Sequence, residues 1–326
     1  MKKDSTKNKI LDYLKQNNNI SATELADRLN LSRQMIHRCL KDLIIDNLIV
    51  KIGTPPKVFY SLQEDKTEEK PIFNYDRVEK EIITENFMLI NSIGEKIHGI
   101  PAFEIWCADR NYDTKKKAGE YKKIFEKYES LKIQGFLDGE AKIKETFEKQ
   151  CIDKILYIDF YAWEIFGKTK LGQLLLYAKQ SGNKRMINEL ISDIEQKIKT
   201  LIADEKFDAV GFIPPTVKRE VQFMKVLQKE LNLSLPILSI LKVKTDVIVP
   251  QKTLSKLKDR IDNADKTIIV TEKRNYKKVL LIDDAVGSGA TLNQTACKIK
   301  NKKIAQKVIG LAITGSIKGF DIISEV

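Results

Sequence analysis

Residues 279–296 read VLLIDDAVGSGATLNQTA. Val279 to Ile282 are an uninterrupted apolar run, the pattern of a strand covered on both faces. The run ends in two adjacent carboxylates, Asp283 and Asp284, followed by Gly287-Ser288-Gly289 and by Thr291 at the opening of a helix. Successive strand side chains point to opposite faces, so the two carboxylates are expected to have different jobs. Glycines let the backbone turn tightly and present bare N–H groups to an anion, and the helix adds its positive N-terminal end. Ser288 and Thr291 add hydroxyl donors. No Lys follows the glycines, which disfavours a Walker A loop. The alternative is an ordinary strand-turn-helix junction.

Upstream, FDAVGFIPPTVKREVQFMKVLQKEL (207–231) reads as strand, proline-stiffened loop and helix, with Lys218 and Arg219 just past the loop. VIVPQKTLSKLKDRIDN (247–263) carries Lys252, Lys256 and Arg260. Strand and helix signals alternate from about 151 to the end, which argues for an α/β fold with a parallel sheet flanked by helices.

Together these segments resemble the type I phosphoribosyltransferases, in the ComF-type branch. The resemblance implies that Asp283 and Asp284 hold the ribose hydroxyls of phosphoribosyl pyrophosphate (PRPP), and would be the catalytic pair of an enzyme. It implies that Ala285, Val286, Gly287, Ser288, Gly289, Ala290 and Thr291 hold the 5′-phosphate. Lys218, Arg219, Lys252 and Arg260 would meet pyrophosphate from the loop after the earlier strand and from a mobile loop. Mg²⁺ would come with the PRPP rather than on protein ligands. The four-cysteine zinc module that often precedes the ComF domain is absent, so a role in DNA uptake does not carry over directly.

Residues 155–187, ILYIDFYAWEIFGKTKLGQLLLYAKQSGNKRMI, precede this core and are read as a candidate hood (151–200) over an acceptor. There Tyr157, Phe160, Tyr161 and Trp163 would either pack or stack on a base, and Lys170 or Lys179 would bind its substituents. Residues 71–150 form a mostly helical middle region whose aromatics, including Phe103, Trp106, Phe125 and Tyr128, are expected in a core. Lys115-Lys116-Lys117, Lys122 and Lys123 read as a solvated helix face that could extend a DNA footprint. QEDKTEEK, 63–70, has no apolar side chain and marks a linker.

Before that linker, residues 1–62 read as three short helices and a hairpin. The first helix carries Ile10, Leu11 and Leu14. The second opens on the Ser21…Glu24 capping spacing and buries Leu25 and Leu29. The third starts at Ser32, turns Ile36, Leu40, Leu43 and Ile44 inward, and presents Arg33, Gln34, His37, Arg38 and Lys41 outward. Two strand-like runs then flank Gly53-Thr54-Pro55-Pro56, with Lys51 and Lys57 beside the turn. This order resembles a winged helix-turn-helix domain. The resemblance implies that Arg33, Gln34, His37, Arg38 and Lys41 face a DNA duplex, that Lys51 and Lys57 meet phosphates, and that a homodimer reads two half-sites. A protein-docking winged helix is the alternative.

The whole chain of 326 residues has 57 Lys and Arg against 45 Asp and Glu, a net charge of +12. The excess permits polyanion binding without naming the polyanion. Four scattered Cys without a C-x-x-C pair suggest neither a disulfide framework nor a zinc site, and two His make a protein-ligated transition metal improbable. With no apolar leader and no long apolar run, no membrane association and a cytoplasmic location are expected. Two functions of different class follow. One is a transcription regulator sensing PRPP or a nucleotide, with the domain order of the purine-repressor family. The other is an active phosphoribosyltransferase. A role in DNA uptake or repair, as for ComF proteins, is a third.

Overall fold

The computed structural model describes residues 2–17, 19–46, 48–63, 74–91, 94–215, 219–243, 254 and 256–316. They fall into two compact units, Met1–Ile72 and Phe73–Val326.

The first unit comprises α1 (Lys2–Gln16), β1 (Ile20–Ser21), α2 (Ala22–Leu29), α3 (Arg33–Ile45), β2 (Ile49–Thr54) and β3 (Lys57–Leu62). Its helices begin where the sequence offers caps. The Ser21 hydroxyl accepts the Glu24 N–H at 3.1 Å, and the Ser32 hydroxyl accepts the Met35 N–H at 3.3 Å. Asn30, in the left-handed region at φ 51°, ends α2 and makes the tight turn into α3. Ile10, Leu14, Leu25, Ile36, Leu40 and Leu43 close the core, joined by Cys39. The hairpin is not alone: β1 adds antiparallel to β3, giving a three-stranded sheet of order β1-β3-β2. Gly53 sits at φ +83°, where a Cβ would meet the Lys57 carbonyl oxygen at 2.4 Å, so the wing turn requires glycine there.

The second unit runs α4 (Arg77–Asn86), β4 (Met88–Ile90), β5 (Lys96–His98), α5 (Gly99–Ala108), α6 (Thr114–Glu129), β6 (Leu137–Asp138), α7 (Glu140–Thr146), β7 (Lys154–Phe160), β8 (Ala162–Trp163), β9 (Gly167–Lys168), α8 (Lys170–Ser181), α9 (Lys184–Glu205), β10 (Ala209–Phe212), α10 (Phe223–Leu231), β11 (Ile240–Lys242), α11 (Leu257–Thr267), β12 (Ile268–Val270), β13 (Tyr276–Val286), α12 (Ala290–Asn301) and β14 (Ala305–Gly315). The main sheet has the order β10-β13-β14-β7-β6. Its first four strands are parallel, and β6 pairs antiparallel at the edge.

The strand around which the fold is built is β13. Val279, Leu280, Leu281 and Ile282 are all fully buried. Val279 and Leu281 pack with α11 and α12, while Leu280 and Ile282 pack with α8, α9 and α10. This double cover explains why the stretch is apolar without alternation. β13 extends four residues beyond that run, with Asp283 still registered to Ala312 and Val286 to Gly315. The acidic pair therefore sits within the strand rather than in the loop after it.

Three expectations change at this level. Position 150 separates no compact units, because β6 pairs with β7 and one apolar cluster joins Phe103, Trp106 and Tyr121 to Ile155 and Leu281. The stretch 151–200, read as a candidate hood, supplies an interior strand and the helices α8 and α9. Its aromatics are packing residues: Trp163 lies 5.3 Å from Tyr121 and 5.8 Å from Tyr128, and Phe160 lies 5.1 Å from Tyr128, ring to ring. Finally, Cys151 and Cys297 are joined by a disulfide. They are 146 positions apart, a pairing no local spacing encodes. Cys39 and Cys107 are free and buried.

Candidate functional site

In the N-terminal unit the sorting of α3 is clean. Ile36, Cys39, Leu40 and Leu43 are buried, whereas Arg33, Gln34, His37, Arg38 and Lys41 are all exposed. Lys51 and Lys57 are exposed on the two wing strands. All seven residues expected to face DNA are thus displayed by a rigid helix and a hairpin, and helix packing produces that display: one apolar face is spent on the core, leaving the donors and acceptors outward. The lysines of α6 behave differently. Lys115 pairs with Glu79 at 2.7 Å, Lys117 with Glu120 at 2.6 Å and Lys122 with Asp76 at 3.8 Å, so three of the five are charge-compensated, while Lys116 and Lys123 are exposed.

In the second unit the C-terminal end of β13 forms a charged constellation. The Asp284 carboxylate is 2.8 Å from the Lys179 ammonium, which lies in the last turn of α8. Asp283, in phase with Val279 and Leu281, points to the other side of the sheet, as alternation demands. Its Oδ1 accepts the Asp284 N–H at 2.8 Å. Burial, and then the neighbouring Asp284 carboxylate, push Asp283 above the usual carboxylate range. Burial lowers the pKa of Lys242, at the end of β11, and the charges of Asp283 and Asp284 oppose that lowering. Two carboxylates and two ammonium groups therefore share this place.

The loop that follows is short. Gly289 adopts φ +80°, and a Cβ there would meet Ile143 Cδ1 at 2.5 Å. Its lack of a side chain serves close packing with α7 as much as access for an anion. Ser288 is buried, and its hydroxyl accepts the Ala290 N–H at 3.3 Å just before α12, whose N-cap is Gly289. Thr291 is partly buried in the first turn. Together, residues 285–291 present a glycine-rich turn leading into a helix N-terminus beside an acidic pair, which is chemistry suited to a phosphorylated polyol.

Of the four basic residues expected at pyrophosphate, Arg219 and Arg260 are among the described residues. Lys218 and Lys252 lie outside the described residues. Arg219 donates to the Lys179 carbonyl oxygen, and so supports the turn that carries Lys179. Arg260 is 6% exposed, its Nε donates to the Leu254 carbonyl oxygen at 2.7 Å, and burial lowers its pKa. That bond ties it to the chain just before α11. Lys170 is held by Asp193 at 3.2 Å. Among the described residues, Lys179, expected at an acceptor, and Lys242, one of a great many lysines in the sequence, reach the acidic pair.

Residues 3–50 match the sequence model of a family described as winged helix-turn-helix DNA-binding. With the fold of Met1–Ile72, this establishes the N-terminal unit as a winged helix-turn-helix DNA-binding domain. A comparison with curated proteins finds no match. Among the described residues, no helix is long and apolar enough to cross a membrane.

Proposed function

We propose that the protein is a DNA-binding transcription regulator whose second unit binds PRPP or a nucleotide as effector. The observation that carries this reading is the display on α3 of Arg33, Gln34, His37, Arg38 and Lys41, all exposed, in a domain of a DNA-binding family. With α3 in the major groove, Gln34 and the two arginines have the donor and acceptor geometry for base edges, and Lys41, Lys51 and Lys57 supply charge to phosphates. One such domain covers few base pairs, so the binding form is a homodimer on two half-sites.

The effector half of the proposal rests on Asp283, Asp284 and the turn into α12. The carboxylates would accept from the ribose hydroxyls, while the amides of residues 285–291 and the Ser288 and Thr291 hydroxyls would hold the 5′-phosphate. Among the described residues, no group of three or more His, Cys, Asp or Glu is placed to hold a metal ion. The acidic pair itself is faced by two lysines. In this reading Mg²⁺ is carried on the ligand's own diphosphate oxygens, whose charge it would neutralise. Lys179 and Lys242 would turn from the carboxylates toward the incoming anion.

The enzyme reading, transfer of the phosphoribosyl group to a base with release of pyrophosphate, uses the same contacts and needs an acceptor site as well. Tyr157, Phe160, Tyr161 and Trp163, the aromatics offered for stacking, are each less than 10% exposed and committed to the core, which favours the sensor. Calorimetric titration of PRPP with Mg²⁺ into wild type and Asp283→Ala/Asp284→Ala tests the site. Loss of binding in the double variant is expected, and undiminished binding would refute the assignment. Pyrophosphate release with any base of a panel would move the protein to the enzyme class.

A further inference from the structure

We propose that Cys151 and Cys297 form a thiol–disulfide modification site that controls the order of the α12 N-terminus, and through it the grip of the candidate phosphate loop. The functional half of this inference rests on the reading of that loop given above; the structural half does not. Cys297 lies one helical turn beyond Asn293, on the same face of α12. Asn293 is fully buried, and both ends of its amide are engaged by one stretch of chain. Its Oδ1 accepts the Cys151 N–H at 2.9 Å and the Ile152 N–H at 3.2 Å, and its Nδ2 donates to the Lys149 carbonyl oxygen at 2.9 Å. The disulfide repeats that attachment one turn further on.

At the other end of the same face, Gly289 is packed against Ile143 and Phe147. Residues 143–152 thus fix α12 at three successive levels: packing at its start, hydrogen bonds in its first turn, and a covalent bond in its second. Only the last responds to redox conditions. When it opens, the Asn293 bonds keep the helix in place, but the tether that limits its departure is gone.

Cys151 and Cys297 are each 6% exposed, so a reductant reaches the bond when α12 or the 149–152 segment lifts. The reaction is exchange with a dithiol. The S–S bond breaks, the dithiol supplies two electrons and two protons to give two thiols, and it leaves as its own disulfide; oxidation reverses these steps with a disulfide as acceptor. A ligand seated on the α12 N-terminus holds down the element that must lift. Coupling of this kind is reciprocal: the factor by which the disulfide tightens ligand binding is the factor by which ligand shifts the thiol–disulfide equilibrium. For a tenfold effect the shift in potential is about 30 mV.

The test uses the full-length protein, air-oxidised or treated with dithiothreitol. Under denaturing conditions the oxidised form is expected to titrate two thiols, Cys39 and Cys107, and the reduced form four. Hydrogen exchange of the first-turn amides of α12 should be about tenfold faster after reduction. PRPP with Mg²⁺ should bind the reduced form about tenfold more weakly. Cys151→Ser and Cys297→Ser should each give the reduced behaviour under both conditions. If neither variant folds, the redox pair of wild-type samples remains decisive. Four thiols in the oxidised protein, or equal α12 exchange rates in the two forms, would overturn the proposal. Exchange that differs while neither form binds PRPP would retire the effector reading and uphold the tether.

Discussion

Asp283 occupies a position where its charge is disfavoured, and that has a measurable sign. A carboxyl whose pKa is raised in the folded state contributes stability at acid pH, below its ordinary value of about 4, and loses it as pH climbs through the raised value. The ligand-free Asp283→Asn protein should therefore match wild type in melting temperature near pH 4 and exceed it increasingly toward about pH 8. Calorimetry across that range checks this, and a gap that closes with rising pH would contradict it. On α3, Arg38→Ala should cost about 1–3 kcal/mol of specific DNA affinity, and Lys41→Ala should lower the slope of log affinity against log salt by about one. Fluorescence anisotropy at several salt concentrations separates the two. The α3 residues were legible in the sequence because a 3.6-residue period assigns each side chain to a face. Lys179 and Lys242 were not, because nothing local distinguishes them from the other lysines; their meeting with Asp283 and Asp284 depends on how α8 and β11 pack around β13.

At the scale of elements, β13 shows how far periodicity reaches. Its four apolar residues announced a doubly covered strand, yet the pairing continues through Asp283 to Val286 because β14 runs alongside for its full length. The two-residue β6 carries no pattern of its own and exists by pairing with β7. The stretch 151–200 is hard to read locally for a related reason. A strand such as KILYIDF, adjacent in space to β14 but distant in sequence, reads locally like any aromatic-rich segment. The attachment of α12 is the element-scale feature with the clearest energetic consequence. Asn293→Ala would leave the buried Cys151 and Ile152 N–H groups without their acceptor, a loss of about 1–3 kcal/mol in chemical denaturation. Asn293→Asp keeps the acceptor but buries a carboxyl against the Lys149 carbonyl oxygen, and should recover part of the difference only at acid pH, where the protonated carboxyl can donate to that oxygen.

For the whole molecule, the net charge of +12 does not act as one field. Residues 1–62 hold eleven Lys and Arg against six Asp and Glu, and the exposed face of α3 is the one proposed to read DNA. In the second unit many lysines are spent in ion pairs, and two are turned to the acidic pair of β13. The two-part organisation was visible in the sequence from the break at 63–70, whereas the unity of everything after residue 73 was not, since it comes from aromatic packing between α4–α6 and the sheet. A regulator of the proposed kind must bind its effector with different affinity in the DNA-bound and DNA-free states, or ligand binding has no consequence. The decisive measurement is therefore the DNA affinity of the full-length protein on a duplex taken from upstream of its own coding sequence, with and without saturating PRPP and Mg²⁺, in wild type and in Asp283→Ala/Asp284→Ala. A change of about fivefold or more in wild type that vanishes in the double variant is predicted; identical affinities in wild type with and without PRPP would contradict it.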